Sequence, residues 1–135
     1  MTLTRALSIY AVTLPIFFAI DLVWLGVVAK NFYRRHLGHL LSPQVDWTSA
    51  ILFYLVFIAG IVFFAIKPAF EAGSAARALG YGAFFGFIAY ATYDLTNQAT
   101  LRDWPVIVTV VDLAWGAVLS ASVAYLSYQV TVRAL

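Results

Sequence analysis

The chain has 135 residues, 64% of them hydrophobic and 10% charged, with a formal net charge of +2 and no cysteine. Soluble domains are nearer half apolar and a quarter charged, so a soluble globule is excluded. Also excluded are disorder, which needs low hydrophobicity, nucleic-acid binding, which needs a larger basic cluster, and any disulfide scaffold, thiolate metal site or thiol chemistry. With a mean hydropathy of +0.91, what is left is an integral membrane protein.

Charges mark out the spans. Residues 6–29, between Arg5 and Lys30, form a 24-residue interval broken by Asp21 alone. Pro15 falls inside it and is expected to kink the helix, a defect that neighbouring helices repair in membranes. Val27-Val28-Ala29 is a poor signal-cleavage site in a stretch that is long and interrupted by Asp21, so the span is expected to be retained. In the connection at 30–46, Phe32, Tyr33, Leu37, Leu40 and Leu41 alternate with Arg34, Arg35, His36 and His39, the pattern of a short helix lying in the interface. Residues 47–66 are 20 residues without a charge, closed by Lys67-Pro68 and followed by a Glu71-Ala72-Gly73-Ser74 loop. The third interval, 78–101, holds 24 residues and one charge, Asp94. Asp103-Trp104-Pro105 reads as a helix start, with Asp103 as cap and Pro105 in the first turn. The fourth interval, 104–132, holds 29 residues and one charge, Asp112.

A helix needs about 20 apolar residues to cross the hydrocarbon, and each interval supplies them. A β-barrel would alternate with period two, which the run Ile51-Leu52-Phe53-Tyr54-Leu55-Val56-Phe57 does not. The expected fold is all-α: one domain over residues 1–135, a four-transmembrane-helix bundle with a short interfacial segment between helices 1 and 2 and both termini on the same side. Basic residues do not set the orientation, because Arg5, Lys67, Arg77 and Arg133 on one face balance Lys30, Arg34, Arg35 and Arg102 on the other. The free amino terminus alone favours the cytoplasm for the termini.

Asp21, Asp94 and Asp112 stand seven or eight residues from helix ends that share one face of the membrane, roughly 10–12 Å deep at about 1.5 Å per residue. A charge deep in a span costs on the order of 2.5–3.5 kcal/mol on the insertion scale, somewhat less at this depth, so the carboxyls are expected to face one another or a wet cavity. Clustered carboxyls cannot all stay ionised without compensation, from a proton, a bound cation, or Arg102 or Lys30 reaching inward. Tyr90, Asp94 and Asn97 lie on one stripe of helix three, which begins with the close-packing pair Gly82 and Gly86. Helices one and four each carry Asp-Leu-x-Trp, placing Trp24 near Asp21 and Trp115 near Asp112, with Gly26 and Gly116 leaving room. The expected ligand-binding set is therefore Asp21, Asp94, Asp112, Asn97, Trp24, Trp115 and Tyr90. Helix two, whose sole ionisable group is Tyr54, reads as a packing helix.

Plainer readings compete with this one. Intramembrane Asp, Asn and Tyr can serve as interhelical glue, worth about 0.6 kcal/mol per hydrogen bond. Trp24, Trp104 and Trp115 fit an interfacial belt, Trp104 above all. His36 and His39, without a nearby acid, fit a solvated interface rather than a metal site, and Arg34 and Arg35 fit lipid phosphates.

The set Asp21-Leu22-x-Trp24-Leu25-Gly26, Tyr93-Asp94-Leu95-Thr96-Asn97-x-Ala99-Thr100-Leu101-x-x-Trp104-Pro105 and Asp112-x-x-Trp115-Gly116 resembles a bacterial family of small predicted four-span inner-membrane proteins of unknown function. The resemblance covers nearly the whole chain. It implies a bacterial cytoplasmic membrane and a single domain, and it supplies no activity, cofactor or catalytic residue.

Three functions follow as expectations. The first is a binding or transport protein whose acidic site takes a proton, a metal cation or a small cationic ligand, with the indoles offering cation–π faces. The second is an accessory subunit of a larger membrane complex, contacting partners through Phe53, Phe57, Phe63 and Phe64. The third is a membrane-embedded enzyme acting on a lipid or isoprenoid, with Asp94 or Asp112 as acid/base and Arg34, Arg35 or Arg102 holding a phosphate; no His-Glu-x-x-His or Gly-x-Ser-x-Gly signature supports it.

Overall fold

The computed structural model describes residues 1–135. Thr2 opens the first helix by accepting the Arg5 amide at 3.1 Å. Helix α1 spans Leu3–Val23 and continues as a π-helical turn, Trp24–Val28. It runs through Pro15, which faces outward, so the departure from α geometry falls at Trp24–Val28 and not at the proline. The interfacial segment contains the expected short helix, α2, at Phe32–Leu37.

Asp46 caps α3, Trp47–Ile61, accepting the Ser49 amide at 3.3 Å and the Ser49 hydroxyl at 2.8 Å. These two donors hold the fully exposed Asp46 carboxyl below the usual carboxylate range. Lys67-Pro68 does not close this rod. A π segment, Val62–Ile66, precedes it, and Pro68 sits in the first turn of α4, Lys67–Ala72, where a missing N–H is tolerated. Gly73, at φ +63°, makes the left-handed cap, and Ser74 starts α5, Ala75–Thr100, by accepting the Arg77 amide at 3.2 Å. Helix α6 spans Val106–Ala134. Its start corrects the sequence reading: Pro105 occupies the cap position with no side-chain cap bond, and Asp103 adopts a left-handed φ of +57° instead of capping.

Three rods are long and apolar enough to cross a membrane: Leu3–Val28, Trp47–Ala72 and Val106–Ala134. Four spans were expected. Helix α5 has the length, at 26 residues, but its glycines, threonines, Asn97 and Gln98, together with Arg77 and Asp94, dilute its apolar content. Four of its small or polar residues turn inward: Ala78, Gly82, Gly86 and Asp94 are buried, while Phe84, Phe87, Ile88 and Leu95 face out. Thr92, Thr96 and Thr100 also face out, and their hydroxyls donate to carbonyls of their own helix.

The tightest packing is between α5 and α6. A Cβ on Gly86 would strike the Gly116 carbonyl and the Ser120 hydroxyl, and one on Gly82 would lie 2.6 Å from the Ser120 carbonyl. The small-residue pair thus seats α5 on α6 of the same chain. The core, from Ile9 and Phe17 through Phe57, Ile58 and Ile66 to Leu119 and Val123, fills the half of the bundle near the termini. Large apolar side chains cover the outside; Val27 and Val56 are over 70% exposed.

Candidate functional site

Toward the α2 end the rods part around a cavity of about 630 Å³. Every long helix reaches it: Asp21 and Trp24 from α1, Phe53 and Tyr54 from α3, Tyr90 and Tyr93 from α5, Asp112 and Trp115 from α6. Tyr33 and Leu37 of α2 close its interfacial side.

Asp21 and Asp112 are each 6% exposed, and the indoles of Trp24 and Trp115 stack with centroids 4.4 Å apart and planes 9° from parallel. The hydrogen bonds run crosswise. Trp115 Nε1 of α6 donates to Asp21 Oδ1 of α1 at a long 3.4 Å. Trp24 Nε1 of α1 donates to Tyr33 Oη at 3.1 Å, and Tyr33 Oη donates to Asp112 Oδ1 at 2.6 Å. Each indole of the repeated Asp-Leu-x-Trp therefore serves the other helix's aspartate and not the one three residues before it. Burial, and after it the Asp112 carboxyl that it serves, push the Tyr33 phenol well above its ordinary value, so it remains a donor.

Tyr90 lines the cavity, and Gly116 makes room for it: a Cβ there would lie 2.5 Å from Tyr90 Cγ. Gly26 makes no such room, since nothing lies within 4 Å of a Cβ built on it.

Asp94 and Asn97 do not reach the cavity wall. Asp94 is fully buried with both carboxyl oxygens unpartnered, and it faces Asp112 across the α5–α6 seam. The three aspartates do not converge into a group able to hold a metal ion. Lys30 and Arg102 are exposed, so the polar partners at the wall are indole and phenol and not a basic side chain.

Other expectations shift as well. Trp104 is no belt residue: it is 8% exposed, packs with Leu37 and Val108, and donates to Thr109 Oγ1 at 3.0 Å. His36 lies against the Phe32 ring at 4.8 Å, and His39 Nε2 meets the Asp103 carbonyl at 3.0 Å. Of the candidate partner surface on the second rod, Phe53, Phe63 and Phe64 face outward while Phe57 is buried in the core. Sequence reasoning missed Tyr33 and Tyr93 as wall residues and read Tyr54 as packing alone. The usable signal for Tyr54 was its position as the lone ionisable group of its rod.

A helical chain whose rods are long and apolar enough to span a bilayer, and whose outer surface is Leu, Val and Phe, is a membrane protein. Residues 6–129 match the family described as "Predicted membrane protein (DUF2177)", and the chain belongs to that family. No curated protein and no solved structure matches it.

Proposed function

We propose that this is a single-domain, four-span protein of the bacterial inner membrane with both termini in the cytoplasm, and that it carries an acidic intramembrane site of binding or transport type. Helix α5 is the fourth span. Its length equals that of the Trp47–Ala72 rod, and Asp94 with Gly82 and Gly86 turns into the seam with α6. The site takes a proton, a cation or a small cationic ligand. One observation carries the reading: Asp21 and Asp112, from different helices, line the same cavity and are linked through a stacked indole pair and Tyr33. Two largely buried carboxyls without a basic partner favour positive charge between them. Asp94 takes part through Asp112, and Tyr90 as wall.

The test is cation binding and proton release by the purified protein in lipid nanodiscs, compared with Asp21→Asn, Asp112→Asn and Asp94→Asn. The expected result is loss of cation-dependent proton release in the first two variants. Unchanged binding in all three overturns the reading.

A second reading, an enzyme acting on a lipid, draws on one feature. Leu25, Leu41, Val45, Phe53 and Tyr93 line the cavity and are also 42–58% exposed, so the opening is apolar but for one phenol. Asp112 would then be the acid/base, and a changed lipid composition on deletion of the gene would mark it.

A further inference from the structure

We propose that the ligand of this cavity is a lipophilic organic cation, a monovalent ammonium or phosphonium centre on an apolar body, which enters sideways between α1 and α3 and takes Asp21 as its counter-ion. The proposal rests on the acidic-site reading and names its substrate class.

The wall composition argues against a small inorganic ion. Twelve of the fourteen lining residues are hydrophobic, and the carboxyls of Asp21, Asp94 and Asp112 do not gather into a metal-binding group. A hydrated ion would have to shed water here with few oxygen ligands in return. An organic cation asks for something different: apolar surface for its body, aromatic faces within about 6 Å of its charge, and one carboxyl. The cavity supplies each. Its volume of about 630 Å³ lies inside the range of roughly 300–1,000 Å³ found for sites of small organic ligands.

The route follows from exposure. Five wall residues are also exposed. Four of them, Leu25 of α1, Leu41 and Val45 of the connection and Phe53 of α3, are aliphatic or phenyl side chains on the α1–α3 side, and the fifth is Tyr93 of α5. Helix α1 touches α3 far less than α5 touches α6. The exposed cations Lys30, Arg34 and Arg35 lie in or beside the interfacial segment, where they repel a cation coming from water and leave the flank as the way in.

The choice of Asp21 follows from the hydrogen bonds. Asp112 already accepts a short bond from Tyr33 at 2.6 Å, whereas Asp21 accepts a long 3.4 Å bond from Trp115, with the Tyr54 hydroxyl as a further weak partner. Of the two carboxyls at the wall, Asp21 has more to gain from a cation.

The experiment uses tetraphenylphosphonium and its near-isosteric anion tetraphenylborate, with the full chain in nanodiscs and tryptophan emission as readout. Tetraphenylphosphonium is expected to bind saturably and quench emission, and tetraphenylborate is not. Asp21→Asn is expected to weaken phosphonium binding at least about tenfold, and Asp112→Asn to weaken it less. Asp21→Glu, which keeps the charge, is expected to retain binding, and a monodisperse elution profile for Asp21→Asn separates lost binding from lost folding. Equal binding of both ions, unaffected by Asp21→Asn, shows partitioning into an apolar hole and overturns the proposal. Sodium or magnesium binding that depends on Asp21 and Asp112, without phosphonium binding, overturns it while the acidic-site reading stands. If no cation binds and none releases protons, both fall.

Discussion

The two ends of this bundle are built on opposite rules. Near the termini the rods interlock: Ala69, Ala78, Ala124, Ser127 and Thr131 are wholly buried, and Ile9, Ile61 and Ile66 fill what the small residues leave. At the α2 end the rods stand apart around aromatic rings, and carboxyls join the hydroxyl of Thr109 as the buried polar groups. In lipid, apolar side chains gain little by leaving the bilayer for the protein interior, so association depends on close packing and on polar contacts. The closed end uses the first. The open end uses the second, and its polar contacts leave about 630 Å³, against about 280 Å³ in the shallow pocket of Thr2, Thr4, Arg5, Ser8 and Leu135 at the termini.

That contrast can be broken at one end and sharpened at the other. The largest effect is expected from Gly86→Val: its Cβ would strike the Gly116 carbonyl and Ser120 hydroxyl, forcing α5 off α6 at about 3 kcal/mol, the top of the usual overpacking range. Denaturation in SDS with far-UV circular dichroism would show it, and Gly26→Ala, with nothing within 4 Å, is the silent control. Next comes Tyr33→Phe, which removes the hydroxyl bridging Trp24 Nε1 and Asp112 Oδ1. A hydrogen bond to a charged group contributes about 1.5–3 kcal/mol. The expected outcome is a loss near the lower figure and a red-shifted tryptophan emission as α2 loosens, with the α5–α6 seam intact by amide exchange.

The smallest effect lies outside both ends, at the Asp46 cap. Its carboxyl is held below the ordinary value by the Ser49 hydroxyl and amide, so its contribution is present above the ordinary value of about 3.9 and is lost as pH falls through the lower folded value. Exchange of the Ser49 amide is expected to speed up across that acid window in the native chain and to show no such step in Asp46→Asn.

The sequence shows the frame more readily than the site. Charge-poor intervals locate the long rods closely, because in lipid the cost of a charge outweighs most local preferences. The exception is the second rod, which runs on to Ala72 past its expected end at residue 66. Pro68 misled because a π segment upstream absorbs it, and irregularity of that kind depends on packing rather than on local composition. Asp21 and Asp112 were legible by depth alone. Tyr33 was not: its partner Asp112 is 79 positions away, and nothing in the composition of an amphipathic connection says which of its rings folds inward. Asp94 shares their depth but is buried in the α5–α6 seam, and of the Tyr90, Asp94 and Asn97 stripe only Tyr90 reaches the cavity wall. Residue counting gives depth and a stripe on one helix, not which neighbour that stripe faces.

The crosswise indole bonds join α1 and α6, which also pack directly on each other, at their cavity end. A turn of α1 about its axis draws Trp24 from Tyr33 and Asp21 from Trp115 together, while unstacking the rings. The two carboxyls therefore change surroundings in concert, and substitutions at Trp24 and Trp115 should be strongly non-additive in a double-mutant cycle.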